Sequence, residues 1–390
     1  MIIRPLPFSV LISPDKFKGT LTAAEAAEAI SRGWKKARPS DSLTIQPISD
    51  GGDGFGKLLS PMLNADKQYG NAPNPAGSLV KYSWWLNADK GTAIVESAEI
   101  IGLAALMQRG PAPSPMQMDT KGIGRALIKI INGQEPPTEI IVGIGGSATN
   151  DGGFGMAREL GWLFLDKQNQ ELTCWTDLSR LESLRTPNPE IWSSGADPAI
   201  TVAVDVQNPL LGPNGCTRVY GPQKGLQKKD ISSAEAALTR LAEVWKMQTG
   251  EDAASIPGAG AAGGLGFGMH CFAGARIRPG FEIFAKAAKL ETQIQETDLI
   301  ITGEGQMDKQ SMMGKGVGEL VKMAQEQDRP CIALAGTIND HDVLENQIGT
   351  CRAITELTSV PEAMARAAYW LEKLAHEAAR YWRPHESQVT

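Results

Sequence analysis

The chain has 390 residues, 42% hydrophobic and 21% charged, with a formal net charge of -6. That length exceeds what one hydrophobic core normally serves, so two domains are expected, and an acidic balance without any block of five basic residues excludes nucleic acid and anionic membrane as partners. Cys174, Cys216, Cys271, Cys331 and Cys351 are odd in number and far apart, which fits free thiols in a reducing compartment and excludes a disulfide framework.

The N-terminus, MIIRPLPFSVLIS, has one Arg, then Pro5 and Pro7, with no long apolar run and no small-residue cleavage site. No segment reaches membrane-spanning length, so a cytoplasmic protein is expected. FSVLIS at 8–13 reads as a buried strand, Pro14 to Thr22 as a turn, and Ala23 to about Ala37 as a helix whose capping box is Thr22 with Glu25. LTIQPIS at 43–49 repeats the pattern: strand, glycine turn DGGDGFG, short helix GKLLSPML. Two such units predict a parallel sheet. From Pro73 to Leu103 the order SLVKYSWWL, NADKG, TAIVES signals a hairpin, and a second domain is expected to begin there.

TEIIVGIGG (138–146) and AITVAVDV (199–206) are further strands. DLIITGEG (298–305), RPCIALAG (329–336) and CRAITEL (351–357) alternate with helical stretches as the first two units do. The expected fold is therefore α/β with two α/β domains: a Rossmann-like parallel-sheet domain from residues 1–75 and 285–390, and a mixed α/β domain, residues 76–284, inserted in it. The tail YWRPHESQVT is polar and proline-interrupted, and is expected to fray.

Four glycine-rich loops follow strands: PDKFKG (14–19), SDGGDG (49–54), GIGGSATNDGG (143–153) and TGEGQMDKQSMMGKG (302–316). Open α/β sheets bind ligands at the carboxyl ends of their strands, and glycine lets backbone N–H groups converge on an anion. Asp15, Asp50, Asp53, Asp151, Asp205 and Asp308 sit at or just after strand ends, with Lys16, Lys18 and Lys315 in the same loops. Singly, each aspartate has a plain alternative as a helix cap or turn residue. Together they describe a site for a magnesium nucleotide and a second anion, the metal held by one or two carboxylates and by phosphate oxygens. Transfer of a phosphoryl group to an alcohol needs positioning, charge neutralisation and an acceptor for the hydroxyl proton, the last worth ~10²–10⁴-fold. An aspartate can be that acceptor.

Two rival motifs fail on context. GAGAAG (258–263) fits a dinucleotide-binding pattern, yet Pro257 precedes it where a strand is required, which weakens an NAD-dependent dehydrogenase of a small hydroxy acid. GGDGFGK (51–57) has Leu58 where a Walker A motif needs a hydroxyl. A non-catalytic small-anion-binding protein would also explain the glycine nests, but such proteins usually need an export signal. His270, His341, His376 and His385 lack metal-ligand spacing, so no zinc site is expected. Trp84, Trp85 and Trp162 are read as packing residues, and Met312 and Met313 need no cofactor. Glu96, in ESAEIIGL, either faces a cleft or starts a helix.

The loops PDKFKGTLTAAEAAEAI, ISDGGDG, GIGGSATNDGG, DVQNPL, YGPQKG, PGAGAAGGLG and TGEGQMDKQSMMGK, in this order from residue 14 to about 336, resemble the motifs of the bacterial glycerate kinase family. The resemblance implies an ATP- and magnesium-dependent kinase of D-glycerate, with two α/β domains, a cleft between them and the 2-hydroxyl favoured as acceptor. On it, Asp50 and Asp53 lie near the transferring phosphoryl group or its metal, and Lys16 and Lys18 neutralise phosphate charge. Asp205 and Asp308 are general base or magnesium ligands. Gly145, Gly146, Ser147 and Asn150 form a nest for phosphate or the glycerate carboxylate, and Lys224 and Lys315 add positive charge. Asp15, Gly51, Gly52, Asp151, Gly303, Glu304 and Gly305 complete the binding loops. Two departures bear on the acid accepted: Gln306 stands where the family commonly has Arg, and Lys121 replaces another Arg, keeping its charge without its bidentate fork. A homo-oligomer stays open.

Overall fold

Val10, Leu11 and Ile12 form an unbroken apolar run, the pattern of a strand covered on both faces, and each is wholly buried. The computed structural model describes residues 7–108, 113–188, 197–312 and 316–383. The chain divides into two units, Met1–Ser49 with Phe284–Thr390, and Asp50–Ile283.

The first unit holds a five-stranded sheet in the order Gly349–Ala353, Cys331–Ala335, Leu299–Thr302, Ser9–Ile12, Ser42–Ile45. All its pairings are parallel. Its helix Ala23–Ala37 starts with the expected capping box: Thr22 Oγ1 accepts from Glu25 N at 3.2 Å, and Thr22 N donates to Glu25 Oε2 at 2.8 Å. The helix packs along Ala367–Tyr381, and Gly33 permits the close approach, since a methyl group there would run into the carbonyl of Glu372. Of the tail, Tyr381–Arg383 are described; residues 384–390, with His385, lie outside the described residues.

The second unit is built on a six-stranded sheet in the order Arg276–Pro279, Ala199–Val204, Glu139–Gly143, Thr92–Glu96, Leu79–Asn87, Asp66–Pro73. The first four are parallel, and the last two turn antiparallel, with Trp85 opposite Ile94 and Tyr69 opposite Ser83. This corrects the boundary expected near residue 75. Asp66–Pro73 pairs along its length with Leu79–Asn87, so residues 50–75 go with the second unit. The strand escapes sequence reading because DKQYGNAP is an edge strand with little to bury. Trp162 packs against Trp245 and Phe272 at ring-centroid distances of 6.0 and 5.2 Å, and Trp85 is buried. Trp84 is half-buried against the same core.

Candidate active site

The four parallel strands of the second unit end at Glu96, Gly143, Val204 and Pro279. The turn Asp50–Gly54 lies across those ends. Gly51 takes a φ of +103°, and a methyl group on it would stand 3.1 Å from Ala203 O and 3.4 Å from Gly280 Cα. Gly51 O accepts from Gly145 N at 3.2 Å. Asp50 Oδ1 accepts from Gly52 N at 3.2 Å, tightening the turn from within. Glu96 holds it from below: Oε1 accepts from Gly54 N at 2.6 Å and Oε2 from Gly56 N at 3.1 Å. Burial pushes the Glu96 carboxyl up to about 7 against the opposing effect of those two N–H groups. Glu96 thus does not start a helix: at the end of the strand Thr92–Glu96 it borders the cavity that Asp53 also lines, and its two oxygens cap the short helix Phe55–Leu59.

The consequence falls on Asp53, which is exposed and whose carboxylate lies against Gly146. A methyl group at Gly146, where φ is +78°, would overlap Asp53 Oδ1. One residue earlier, a methyl group on Gly145 would sit 3.0 Å from Asp205 Oδ2. Consecutive Cα atoms are about 3.8 Å apart, so Asp53 and Asp205 border one small patch of glycine backbone. Two carboxylates on such a patch fit magnesium, which takes one or two carboxylates and completes its shell with phosphate oxygens and water. Among the described residues no group of three or more His, Cys, Asp or Glu could hold a metal unaided.

The loop after Gly145 is fixed by buried polar contacts. Lys224 donates to Ser147 Oγ at 2.9 Å and to Thr149 O at 2.7 Å, and its burial pulls its ammonium down to about 8. Asn150 donates to Thr217 Oγ1 at 3.0 Å. Asp151 Oδ2 accepts from Thr120 N at 2.9 Å, Thr120 Oγ1 at 2.8 Å and Gly155 N at 2.9 Å, and Oδ1 from Gly153 N at 3.3 Å. Burial, with Asp119 nearby, raises the Asp151 carboxyl to about 6. Asn150 and Asp151 are wholly buried, so the two stand behind the nest as scaffold rather than lining it. GAGAAG has the same use. No strand precedes it; Ala253–Ser255 is a 3₁₀ turn, and Ala262, Gly263 and Gly264 are all left-handed. A methyl group on Gly263 would strike Thr149 O, so this glycine lets two loops meet.

In the first unit, Asp15 N donates to Gly303 O at 2.8 Å, and Asp15 Oδ1 accepts from Lys16 N at 2.6 Å. Gly305 lies close to Phe17 and Lys18, and Gly303 meets the Leu334 carbonyl so closely that any side chain would collide. Glu304 O accepts from Gly336 N at 3.2 Å. The loop segments Asp15–Lys18, Gly303–Gly305 and Gly336 therefore gather at the strand ends, beside Leu334 of the strand Cys331–Ala335. Asp308 Oδ1 accepts from Gln310 N at 2.7 Å and from Ser311 N at 3.3 Å, the geometry of a self-capping turn. Gln306 is exposed and pairs with Thr337 across a two-residue ladder. Met313 and Lys315 lie outside the described residues.

The structure thus brings Asp50, Gly51, Gly52, Asp53, Gly145, Gly146, Ser147, Asp205 and Lys224 together in one unit, and Asp15, Lys16, Lys18, Gly303, Glu304 and Gly305 in the other. The expected magnesium pair, Asp205 and Asp308, is divided between the two units. Sequence reading missed Thr120 and Thr217, whose hydroxyls position Asp151 and Asn150. Nothing in their local sequence marks them, because both partners lie more than thirty positions away.

Comparison with known proteins follows the same lines. The model of the glycerate kinase family matches residues 10–383. A protein of Escherichia coli named glycerate 2-kinase is 36% identical over 358 residues, covering 90% of this chain and 91% of its own. A glycerate kinase of Halalkalibacterium halodurans is 34% identical, covering 95% and 97%. The crystal structure of a provisionally named glycerate kinase 2 from Salmonella typhimurium superposes with a TM-score of 0.75 at 30% identity, over 96% of this chain and 97% of the other.

Proposed function

Because the chain belongs to the glycerate kinase family, we propose that it transfers the γ-phosphoryl group of ATP, as its magnesium complex, to a hydroxyl of D-glycerate, releasing ADP and phosphoglycerate. The 2-hydroxyl is favoured as acceptor, in line with the name of the Escherichia coli relative. The observation that carries this reading is the placing of Asp53 and Asp205 against Gly145 and Gly146. One of the two carboxylates accepts the hydroxyl proton as the new P–O bond forms and the γ-P–O bond to ADP breaks; the other would hold the metal. Magnesium, when bound, supplies charge neutralisation on the transferring phosphoryl group. Gly145, Gly146 and Ser147 offer the backbone nest for phosphate or for the acid's carboxylate. Lys224 orders that nest through Ser147 and Thr149 and adds positive potential.

Asp308 is not carried into the metal pair, since one of its oxygens is taken by its own turn. Lys16 and Lys18 remain proposed phosphate ligands in the loop after the strand Ser9–Ile12, with Asp15, Gly303, Glu304 and Gly305 shaping that loop set. Lys121, at the head of the helix Lys121–Ile131, and exposed Gln306 are proposed to tune which acid is accepted. The cytoplasm is the proposed compartment, on the strength of five free thiols; among the described residues no helix is long and apolar enough to cross a membrane.

The test is ADP release with ATP and D-glycerate, run beside L-glycerate, glycolate, a no-acid control and a chelator. Turnover that needs both D-glycerate and magnesium is expected. ADP release indifferent to the acid, or absent with every acid, contradicts the reading.

A further inference from the structure

We propose that Glu96 is a positioning residue of this reaction: its carboxylate, fixed at the end of the strand Thr92–Glu96, sets the place of Asp53 by holding the N–H groups of Gly54 and Gly56. The inference rests on the kinase reading only for its effect on turnover; the latch itself is a matter of hydrogen bonds.

Three observations carry it. Glu96 is 6% exposed, and both its oxygens are engaged with the two backbone N–H groups that flank Phe55. Gly56 is pressed against the ring of Trp85 and Gly54 is left-handed at +90°, so the backbone between the two N–H groups is also confined by packing and conformation. Asp53 directly precedes this pair, so rotation of Gly54 would swing its carboxylate off Gly146. A carboxylate accepts from two N–H groups; a carboxamide presents one oxygen and one NH₂, and its NH₂ meets a second donor head-on. The latch therefore needs the ionised carboxyl, and a neutral isostere keeps the shape while losing one bond.

Glu96 also lines a cavity of about 420 Å³ together with Asp53, Lys81 and Glu99. Glu99 lies on the helix Ala98–Ile101, where it accepts from Ser83 N, and Lys81 lies on the strand Leu79–Asn87 over the ring of Tyr69. Lys57, on the capped helix, is exposed. Two of the three groups facing Glu96 across the cavity are acidic, and they add to burial in holding back its ionisation. Loss of the Glu96 proton in the neutral range then switches the turn from loosely to fully held.

The experiment compares wild type with E96Q and E96D. E96Q is expected to lower kcat about 10–100-fold, the usual cost of removing a group that orients a reacting one, with KM for ATP and glycerate little changed. The acid limb of kcat/KM near pH 7 should be present in wild type and lost in E96Q, while E96D, which keeps the charge, should retain a limb at reduced kcat. Amide hydrogen exchange at Gly54 and Gly56, slow in wild type and faster in E96Q, reads the latch directly and needs no turnover. Wild-type exchange at Gly54 and Gly56 as fast as in an open loop overturns the proposal, as does an E96Q enzyme with unchanged kcat and pH profile. Should wild type show no glycerate-dependent turnover, the kinase reading fails alone, and protection of the two amides still decides whether Glu96 holds the turn.

Discussion

Asp53 and Asp308 both follow strands in glycine-rich loops, and their local sequences, GGDG and QMDK, give no reason to rank one above the other. Their surroundings do. Asp308 accepts from the N–H groups two and three residues ahead of it, as an aspartate in any turn can. Asp53 is brought against Gly146 by a turn that Asp50 tightens from within and that remote groups, Gly145 and Glu96, hold from outside, the latter 42 residues from the N–H it holds. An acid that serves its own turn is explained by that turn. One that is held by remote residues against a bare glycine is explained by what else can come there.

The sharpest way to break this contrast is to neutralise both acids. D53N is expected to lower kcat about 10²–10⁴-fold, and D205N likewise, as for loss of a general base or metal ligand. The member of the pair that binds metal should also need more magnesium for half-maximal rate. D308N should cost no more than about tenfold, since its amide oxygen can still accept the two turn N–H groups. Equal losses at Asp53 and Asp308, in steady-state rates over a magnesium titration, would erase the distinction.

A second contrast separates crowding from strain. Gly146 and Gly212 both have positive φ, +78° and +88°, but a methyl group would overlap Asp53 at the first and meet nothing within 4 Å at the second. G146A should lose about 10²-fold in kcat/KM, the cost of a misplaced reacting group, while G212A should show only a stability loss of about 1–2 kcal/mol and near-normal kinetics. Both are read by kinetics beside urea unfolding.

The smallest expected effect is on stability against pH. The folded-state pKa values of Glu96, about 7, and Asp151, about 6, lie above their ordinary values of 4.5 and 3.8, so the folded protein binds more protons than the unfolded chain between those limits. Their contribution to stability is complete below about pH 4 and is lost as pH rises through 6 and 7. Lys224 is shifted down from 10.5 to about 8, so the folded protein binds fewer protons between those values and its contribution grows as pH rises from 8 to 10.5. E96Q removes the first term: its stability relative to wild type should climb between pH 5 and pH 8, by on the order of 3 kcal/mol at most. Urea unfolding at a series of pH values checks this, and a constant difference would contradict the upward shift of Glu96.

Much of the fold was legible where one segment carries its own signal. VLI and LIIT are strands buried on both faces, Thr22 and Glu25 cap a helix within three residues of each other, and the WW of SLVKYSWWL sits in the hairpin its turn announces. Legibility failed where structure depends on distant partners. The edge strand Asp66–Pro73 has little apolar patterning, so nothing local ties residues 50–75 to the second unit. The site was legible as a set of loops but not as an arrangement. GIGGSATND gives no hint that its serine and threonine carbonyl are tied to Lys224 some 75 residues later, or that its asparagine and aspartate face inward to Thr217 and Thr120. Glu96, the group that connects the DGGDG turn to the sheet, looks in sequence like any acid after a strand.

Phosphorylation of glycerate is decided by the phosphorus NMR spectrum of the products from magnesium ATP and D-glycerate. The expected result is loss of the γ-phosphate signal of ATP and growth of a phosphomonoester split into a doublet by the single proton on C2, the pattern of 2-phosphoglycerate. A triplet would keep the kinase and move the acceptor to the 3-hydroxyl, whereas intact ATP, or inorganic phosphate as the sole new signal, would rule out phosphoryl transfer to glycerate.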